Sequence, residues 1–208
     1  MNLEKYQQYS RIARGLEEAE LVLKDAKIVN VFTEEIIRGD IAIQDGIIAG
    51  IGSFHGKEER DLAGKYVCPG FIDSHLHLES TLVTPAELVT VASRHGTTSF
   101  IVDPHESANV SGLAGIDYIL EQTEDVKANV YVMMPSCVPA TSIDDNGCTL
   151  TAADMAPYLH NSRILGLGEV MDSISVVQGD KGMHDKLELF EGRIRDGHAP
   201  FLEEGDLQ

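Results

Sequence analysis

The chain has 208 residues, enough for one large domain or a domain with a small lobe, and 43% of them are apolar, so a buried core can form. Lys and Arg total 16 against 34 Asp and Glu; the resulting charge of −18 repels phosphate and argues against nucleic acid and anionic membranes as partners. Cys68, Cys137 and Cys148 show no CxxC spacing, which predicts free thiols in a reducing cytoplasm, and neither an apolar leader nor a run of membrane-spanning length is visible.

Residues 3–13 carry Leu3, Tyr6, Tyr9, Ile12 and Ala13 on one helical stripe, and Gly15 stops it. The period then changes. Residues 21–23 and 27–32 look like strands, residues 40–44 alternate Ile41 and Ile43 with polar or small neighbours, and Asp45-Gly46 is a two-residue hairpin turn before the return at 47–51. Residues 55–60 read as a polar loop. The predicted organisation is an N-terminal helix over 1–18, a small antiparallel β-sandwich lobe over 19–65, and an α/β region over 66–208.

From residue 66 onward strand and helix patterns alternate. Strands are predicted at 66–73, 98–103, 129–134, 163–170 and 193–198. Helices are predicted at 85–95, 111–125, 151–159 and 180–190, with Thr151 as N-cap and Asp154 in the capping-box position. That order implies a parallel sheet or barrel. A full (β/α)₈ barrel takes about 250 residues. The expectation is therefore either a smaller α/β fold or the first five strands of a barrel.

The chemistry gathers at predicted strand ends. In residues 67–80, VCPGFIDSHLHLES, His75 and His77 are two apart on a strand and so face the same side. Glu169 ends the apolar run ILGLG, and His198, in DGHAP, falls at the end of the last predicted strand. Strand C-termini are where α/β folds place their sites. Imidazoles with a carboxylate and no thiolate suit Zn²⁺, Mn²⁺ or Fe²⁺ in a hydrolytic site rather than a closed structural zinc site. Asp103, His105 and Glu106, in DPHE, end the second barrel strand. They are either a polar turn or a supporting shell, an extra metal position or a substrate contact. His55, His95, His160 and His184 read as surface residues, and Cys137 as a buried, inert thiol.

These stretches resemble the amidohydrolase superfamily. PGFIDSHLH after DLAGKYV carries the general likeness; HLHLESTLVTP, GTTSFIVDPHESANVSG, MMPSCVPAT, GLGEVM and DGHAP resemble its adenine-deaminating branch. Glu169 stands where many relatives use a modified lysine. The resemblance implies a divalent metal pair on a distorted barrel. His75 and His77 would hold one ion, Glu169 would bridge, and His198 would hold the other. It implies hydrolysis of adenine to hypoxanthine and ammonia. It also implies a further histidine after a sixth strand and a proton-handling aspartate after an eighth, neither of which falls within these residues. The expectation is that this chain alone binds metal weakly and deaminates slowly or not at all, unless a second chain or a homo-oligomer completes it. The alternatives are an amidohydrolase acting on another cyclic amide or amidine, and a non-catalytic remnant.

Overall fold

The computed structural model describes residues 2–141 and 143–200 together with Leu202 and Gly205. The chain divides into two compact units, Met1–Pro69 and Gly70–Gln208.

In the first unit, helix α1 (Leu3–Ala13) starts where the Asn2 side chain accepts the Lys5 N–H at 2.9 Å. Strands β1 (Ala19–Asn30), β2 (Glu35–Gln44) and β3 (Ile47–Gly52) pair antiparallel in sequence order. Asp45 and Gly46 both have positive φ, 51° and 73°, the turn whose twist matches the flanking strands. The two strands predicted at 21–23 and 27–32 are one: β1 runs through a register shift between Leu23 and Ala26, where Asp25 has φ 50°.

The segment 55–60, expected to be a loop, is mostly strand β4 (Gly56–Asp61), which pairs parallel to β1 at the sheet edge. Its sequence, GKEERD, has no apolar alternation because almost every residue is exposed. Charged edges of this kind discourage pairing with other chains. Strand β5 (Tyr66–Val67) also joins β1 in parallel. Parallel strands thus extend the antiparallel core of the expected lobe.

Both sheet faces are covered by apolar side chains. Ile12 of α1 packs with Val22, Ala42 and Phe54, while Ala26, Ile28 and Ile41 form a separate cluster. Between them sits one polar group, Asp40, only 8% exposed. Lys24 Nζ donates to Asp40 Oδ2 at 2.6 Å, and the N–H groups of Phe54 and Asp25 donate to its two oxygens at 3.1 Å each. Burial pushes the carboxyl up, but Lys24 and the two N–H groups outweigh it and hold it below its ordinary value. A depressed folded pKa gives stability that is complete above the unfolded value, about 3.9, and is lost as pH falls through the folded one. Asp40→Ala should cost about 2–3 kcal/mol at pH 7, because two donors and an ammonium lose their partner. The deficit should shrink below pH ~4. Urea unfolding at pH 7 and pH 3 checks this; an equal loss at both would show that the charge does not contribute.

In the second unit, β6 (Phe71–Leu76), β7 (Thr97–Val102), β8 (Asn129–Pro135), β9 (Ile164–Gly168) and β10 (Ile194–Arg195) form one parallel sheet in sequence order. The stretch 66–73, expected as one strand, is divided between β5 and β6 at Cys68-Pro69-Gly70. Proline brings no N–H to a ladder. Helices α2 (Pro85–Ser93), α3 (His105–Ser111), α4 (Leu113–Gln122), α5 (Ala152–Met155), α6 (Ser173–Gln178) and α7 (Lys181–Leu189) connect the strands.

Alternate residues of β7 and β8, namely Phe100 and Val102, then Val130, Val132 and Met134, pack with Val89, Ile116, Ile119 and Met155 in the main core. Thr151 and Asp154 close the expected capping box. The helix predicted over 111–125 is α4, which begins after Gly112, whose φ is 60°; α3 precedes it and was not expected, since its start, DPHE, reads as a polar turn or site residues. Helix α6 was not expected; the Asp172 side chain caps it by accepting the Ser175 N–H at 3.0 Å.

Candidate metal centre

Each strand of the parallel sheet delivers its polar groups at the C-terminal end. His75 lies next to the last residue of β6 and His77 just past it. Asp103 and His105 follow β7, Ser136 and Cys137 follow β8, Glu169 follows β9, and Asp196 and His198 follow β10. In a parallel sheet these ends share one edge, so residues more than a hundred positions apart become neighbours.

Three groups meet closely. His75 Nε2 and His77 Nε2 are 3.2 Å apart. Glu169 Oε1 is 3.2 Å from His75 Nε2, and Oε2 is 3.4 Å from His77 Nε2. The His77 ring has a defined tautomer: Nδ1 lies 2.7 Å from the Asp103 carbonyl, so Nδ1 carries the proton and donates. The Nε2 lone pair is left facing His75 and Glu169. An imidazole oriented this way by a backbone carbonyl is a familiar support for metal ligation.

Lone pairs of two nitrogens and a carboxylate at such distances repel unless positive charge lies among them. Partial burial works against a charged His77, yet the carboxylates of Glu106 and Glu169 and the bond to Asp103 push its imidazole above the ordinary value. The donor set therefore fits a divalent cation, with nitrogen and oxygen ligands and no sulfur.

A second group adjoins the first through Glu169. His105 Nδ1 is 2.5 Å from Asp103 Oδ1 and 3.2 Å from Glu169 Oε2. The Cys137 N–H donates to His105 Nε2 at 3.4 Å. His105 is thus protonated on Nδ1 and donates that proton to Asp103, with the Glu169 carboxylate close beside it. Burial pushes the Asp103 carboxyl up against the pull of His105, and Asp103 Oδ2 has no hydrogen-bond partner among the described residues. Ligand atoms of Asp103, His105 and Glu169 lie within 4.8 Å of one another, as do those of His75, His77 and Glu169.

The remaining candidates are looser. His198, with a side chain 59% exposed, brings Nε2 to 3.7 Å from Glu169 Oε1. Glu106 Oε2 is 3.2 Å from His77 Nδ1. Asp196 Oδ2 stands 3.9 Å from His75 Nδ1 and was not singled out from sequence, since an acid in a glycine-containing loop carries no distinguishing pattern.

Two local features let Glu169 reach this position. Its φ is +35°, a left-handed backbone that costs a non-glycine residue about 1–3 kcal/mol and is found where surrounding structure enforces it. The preceding Gly168 has no room for a side chain: a Cβ there would strike the Asp103 carboxylate and sit 2.7 Å from Met133 Cβ. A cleft of about 540 Å³ opens beside Glu169, lined by His105, Glu106, Val110, Cys137, Asp145 and Met171 among others.

Known proteins match this chain along most of its length. The adenine deaminase of Desulfitobacterium hafniense (strain Y51) is 59% identical over 193 residues, covering 93% of this chain and 34% of that protein. Adenine deaminase 2 of Carboxydothermus hydrogenoformans is 47% identical, with 94% of this chain and 34% of the relative covered. The adenine deaminase of Clostridium acetobutylicum is 48% identical, with 94% and 35% covered. The chain thus spans about a third of the length of the curated relatives it matches. Among solved structures, the N-acyl-D-glutamate deacylase of Bordetella bronchiseptica, complexed with zinc and a phosphonate inhibitor, is similar at 19% identity and a TM-score of 0.49, over 73% of this chain and 38% of that one. That overlap is too low to carry structural detail across. The amidohydrolase family matches residues 66–201, the span that holds His75, His77, Asp103, His105, Glu169 and His198, and on that match the chain belongs to the amidohydrolase family.

Proposed function

We propose that the protein hydrolyses adenine to hypoxanthine and ammonia at a divalent metal pair built on these strand ends. The observation that carries the proposal is the convergence of His75 Nε2, His77 Nε2 and the Glu169 carboxylate, with His77 held by the Asp103 carbonyl so that its lone pair points inward. The likeness to proteins named adenine deaminase supports the choice of substrate. In this reading His75 and His77 would hold one ion, His198 would hold the other, and Glu169 would be shared between them. Mn²⁺, Fe²⁺ and Zn²⁺ all suit the donors. Such ions, when bound, supply Lewis acidity and make water acidic enough to react near neutral pH.

The chain's own residues set the geometry. His105 donates its Nδ1 proton to Asp103 and stands 3.2 Å from Glu169 Oε2. The cleft beside Glu169 lies within the size range of small-molecule sites, about 300–1,000 Å³, and Val110 and Met171 give it apolar surface for a flat heterocycle. Five parallel strands in sequence order support a TIM-like barrel begun in this chain. Three unpaired cysteines support a cytoplasmic setting.

The test is ammonia release from adenine, with Mn²⁺, Fe²⁺ or Zn²⁺ supplied. It should be run on this chain alone and after mixing with the remaining two thirds of the Desulfitobacterium relative. The expected result is one to two ions bound per chain, little or no turnover alone, and adenine-dependent ammonia in the mixture. Release from dihydropyrimidines or imidazolones but not adenine would transfer the proposal to another amidohydrolase activity. Absence of bound metal under every condition would end it.

A further inference from the structure

The backbone of Glu169 is held from the neighbouring strand by one residue. Ser136 is fully buried at the end of β8. Its N–H donates to the Gly168 carbonyl at 3.2 Å, and its Oγ donates to the Glu169 carbonyl at 2.8 Å. Both peptide oxygens flanking the left-handed turn are therefore fixed by the same side chain and its amide. The turn is strained, and strain persists only where the surroundings over-determine it.

Ser136 is itself anchored. Lys186 of α7 is only 9% exposed, and its Nζ donates to the Ser136 carbonyl at 2.7 Å. That is its one hydrogen bond among the described residues. Burial pushes the ammonium below its ordinary value, against the pull of Cys137, Asp180 and Asp172 nearby. A buried cation is costly to keep. Here it is directed at a main-chain oxygen next to the site rather than at a carboxylate. No sequence pattern marks either residue, because Ser136 reads as a strand end and Lys186 as an ordinary helix position.

We propose that Ser136 and Lys186 are positioning residues for the Glu169 carboxylate: Lys186 fixes Ser136, and Ser136 holds the 168–169 peptide in the left-handed turn that aims the carboxylate at His75 and His77. This rests on Glu169 being a cation ligand, the reading proposed above. The same loop steadies the other side of the carboxylate, since the Cys137 N–H sets the tautomer of His105.

Two measurements on the full chain separate the possibilities. The first is the structure of the metal-free Ser136→Ala variant beside metal-free wild type, reading φ at residue 169 and its carboxylate's distance from His77 Nε2. The expected result is a relaxed, negative φ and a carboxylate displaced by more than about 0.5 Å, the tolerance of a preorganised site. An unchanged turn overturns the inference, whether or not metal binds. The second is Zn²⁺ affinity, together with the visible spectrum of the Co²⁺-loaded chain, for wild type, Ser136→Ala and Lys186→Met. Affinity should fall roughly 10–100-fold, as for other outer-shell changes, and the cobalt spectrum should shift. The metal-free melting temperature serves as the control for a merely structural role. Affinities and spectra equal to wild type overturn the inference while leaving the metal site standing. A wild type that binds no metal removes the ligand reading, and the crystallographic comparison still decides whether Ser136 holds the turn. If Ser136→Ala does not fold, Lys186→Met, which keeps the hydroxyl, carries both measurements.

Discussion

Replacing Glu169 by Gln is expected to reduce Zn²⁺ or Mn²⁺ affinity by roughly a hundredfold or more, beyond the 10–100-fold typical of changes one shell further out. Among the described residues, the carboxylate is the one formal negative charge within reach of His75, His77 and His105 together, at 3.2 to 3.4 Å from each. An amide has nearly the same shape but no charge, and one of its two ends becomes a donor. If its oxygen faces His105 Nδ1–H, its NH₂ points at the His75 side, where a cation would sit; reversed, it meets the His105 proton donor head-on. Either orientation costs the site a ligand. The folded chain itself should tolerate the change, because the carboxylate makes no side-chain hydrogen bond that holds elements of the core together. Metal titration with a melting curve of the metal-free protein checks both halves. Undiminished affinity in the variant would remove Glu169 from the centre and with it the bridging role.

The second large effect is expected at Gly168. A single methyl added there meets the Asp103 carboxylate and Met133 at distances real side chains do not reach, so something must move. Met133 lies in β8 and is nearly buried, and its Cβ is fixed to the backbone. Asp103 is the more mobile of the two, but its carbonyl orients His77 and its carboxylate orients His105. Gly168→Ala should therefore cost about 1–3 kcal/mol of stability as overpacking, and should also weaken metal binding although residue 168 carries no ligand atom. Gly182→Ala, whose added methyl would meet only Asp180 Oδ1, at 3.2 Å, and no residue of the metal centre, is the control and should leave affinity unchanged. Urea unfolding and metal titration of the two variants give the comparison. Equal affinities for Gly168→Ala and wild type would mean that Asp103 does not support the site.

Much of the local structure was legible because it depends on neighbours in sequence. The stripe Leu3, Tyr6, Tyr9 and Ile12 has the helical spacing, and Asp45-Gly46 with alternating isoleucines makes a hairpin. Thr151 and Asp154 close a capping box within one turn. The failures share one cause. Strand β4 is written in charged residues, since it lies at an edge and buries nothing, so periodicity could not reveal it. The break between β5 and β6 depends on which sheet each half joins. Helices α3 and α6 follow from connections that must return to the next parallel strand.

The candidate site divides along the same line. His75 and His77 announced themselves because two histidines two apart after a buried strand have few structural uses; Glu169 stood out only in their company, since an acid closing an apolar run is otherwise a solvated strand end. Asp103 and His105 could be noticed but not assigned. Only folding shows that one backbone carbonyl sets the tautomer of His77, and that His105 presents its proton to Asp103 while standing beside Glu169. Ser136 and Lys186 gave no signal at all, because their contacts reach 33 and 50 residues along the chain. The amino-acid order by itself determined which chemical groups stand at the strand ends, since side-chain type and strand period are local properties. The tertiary structure alone decided which of those groups touch and which lone pairs face inward, since hydrogen-bond direction and strand adjacency are set by parallel pairing between distant segments.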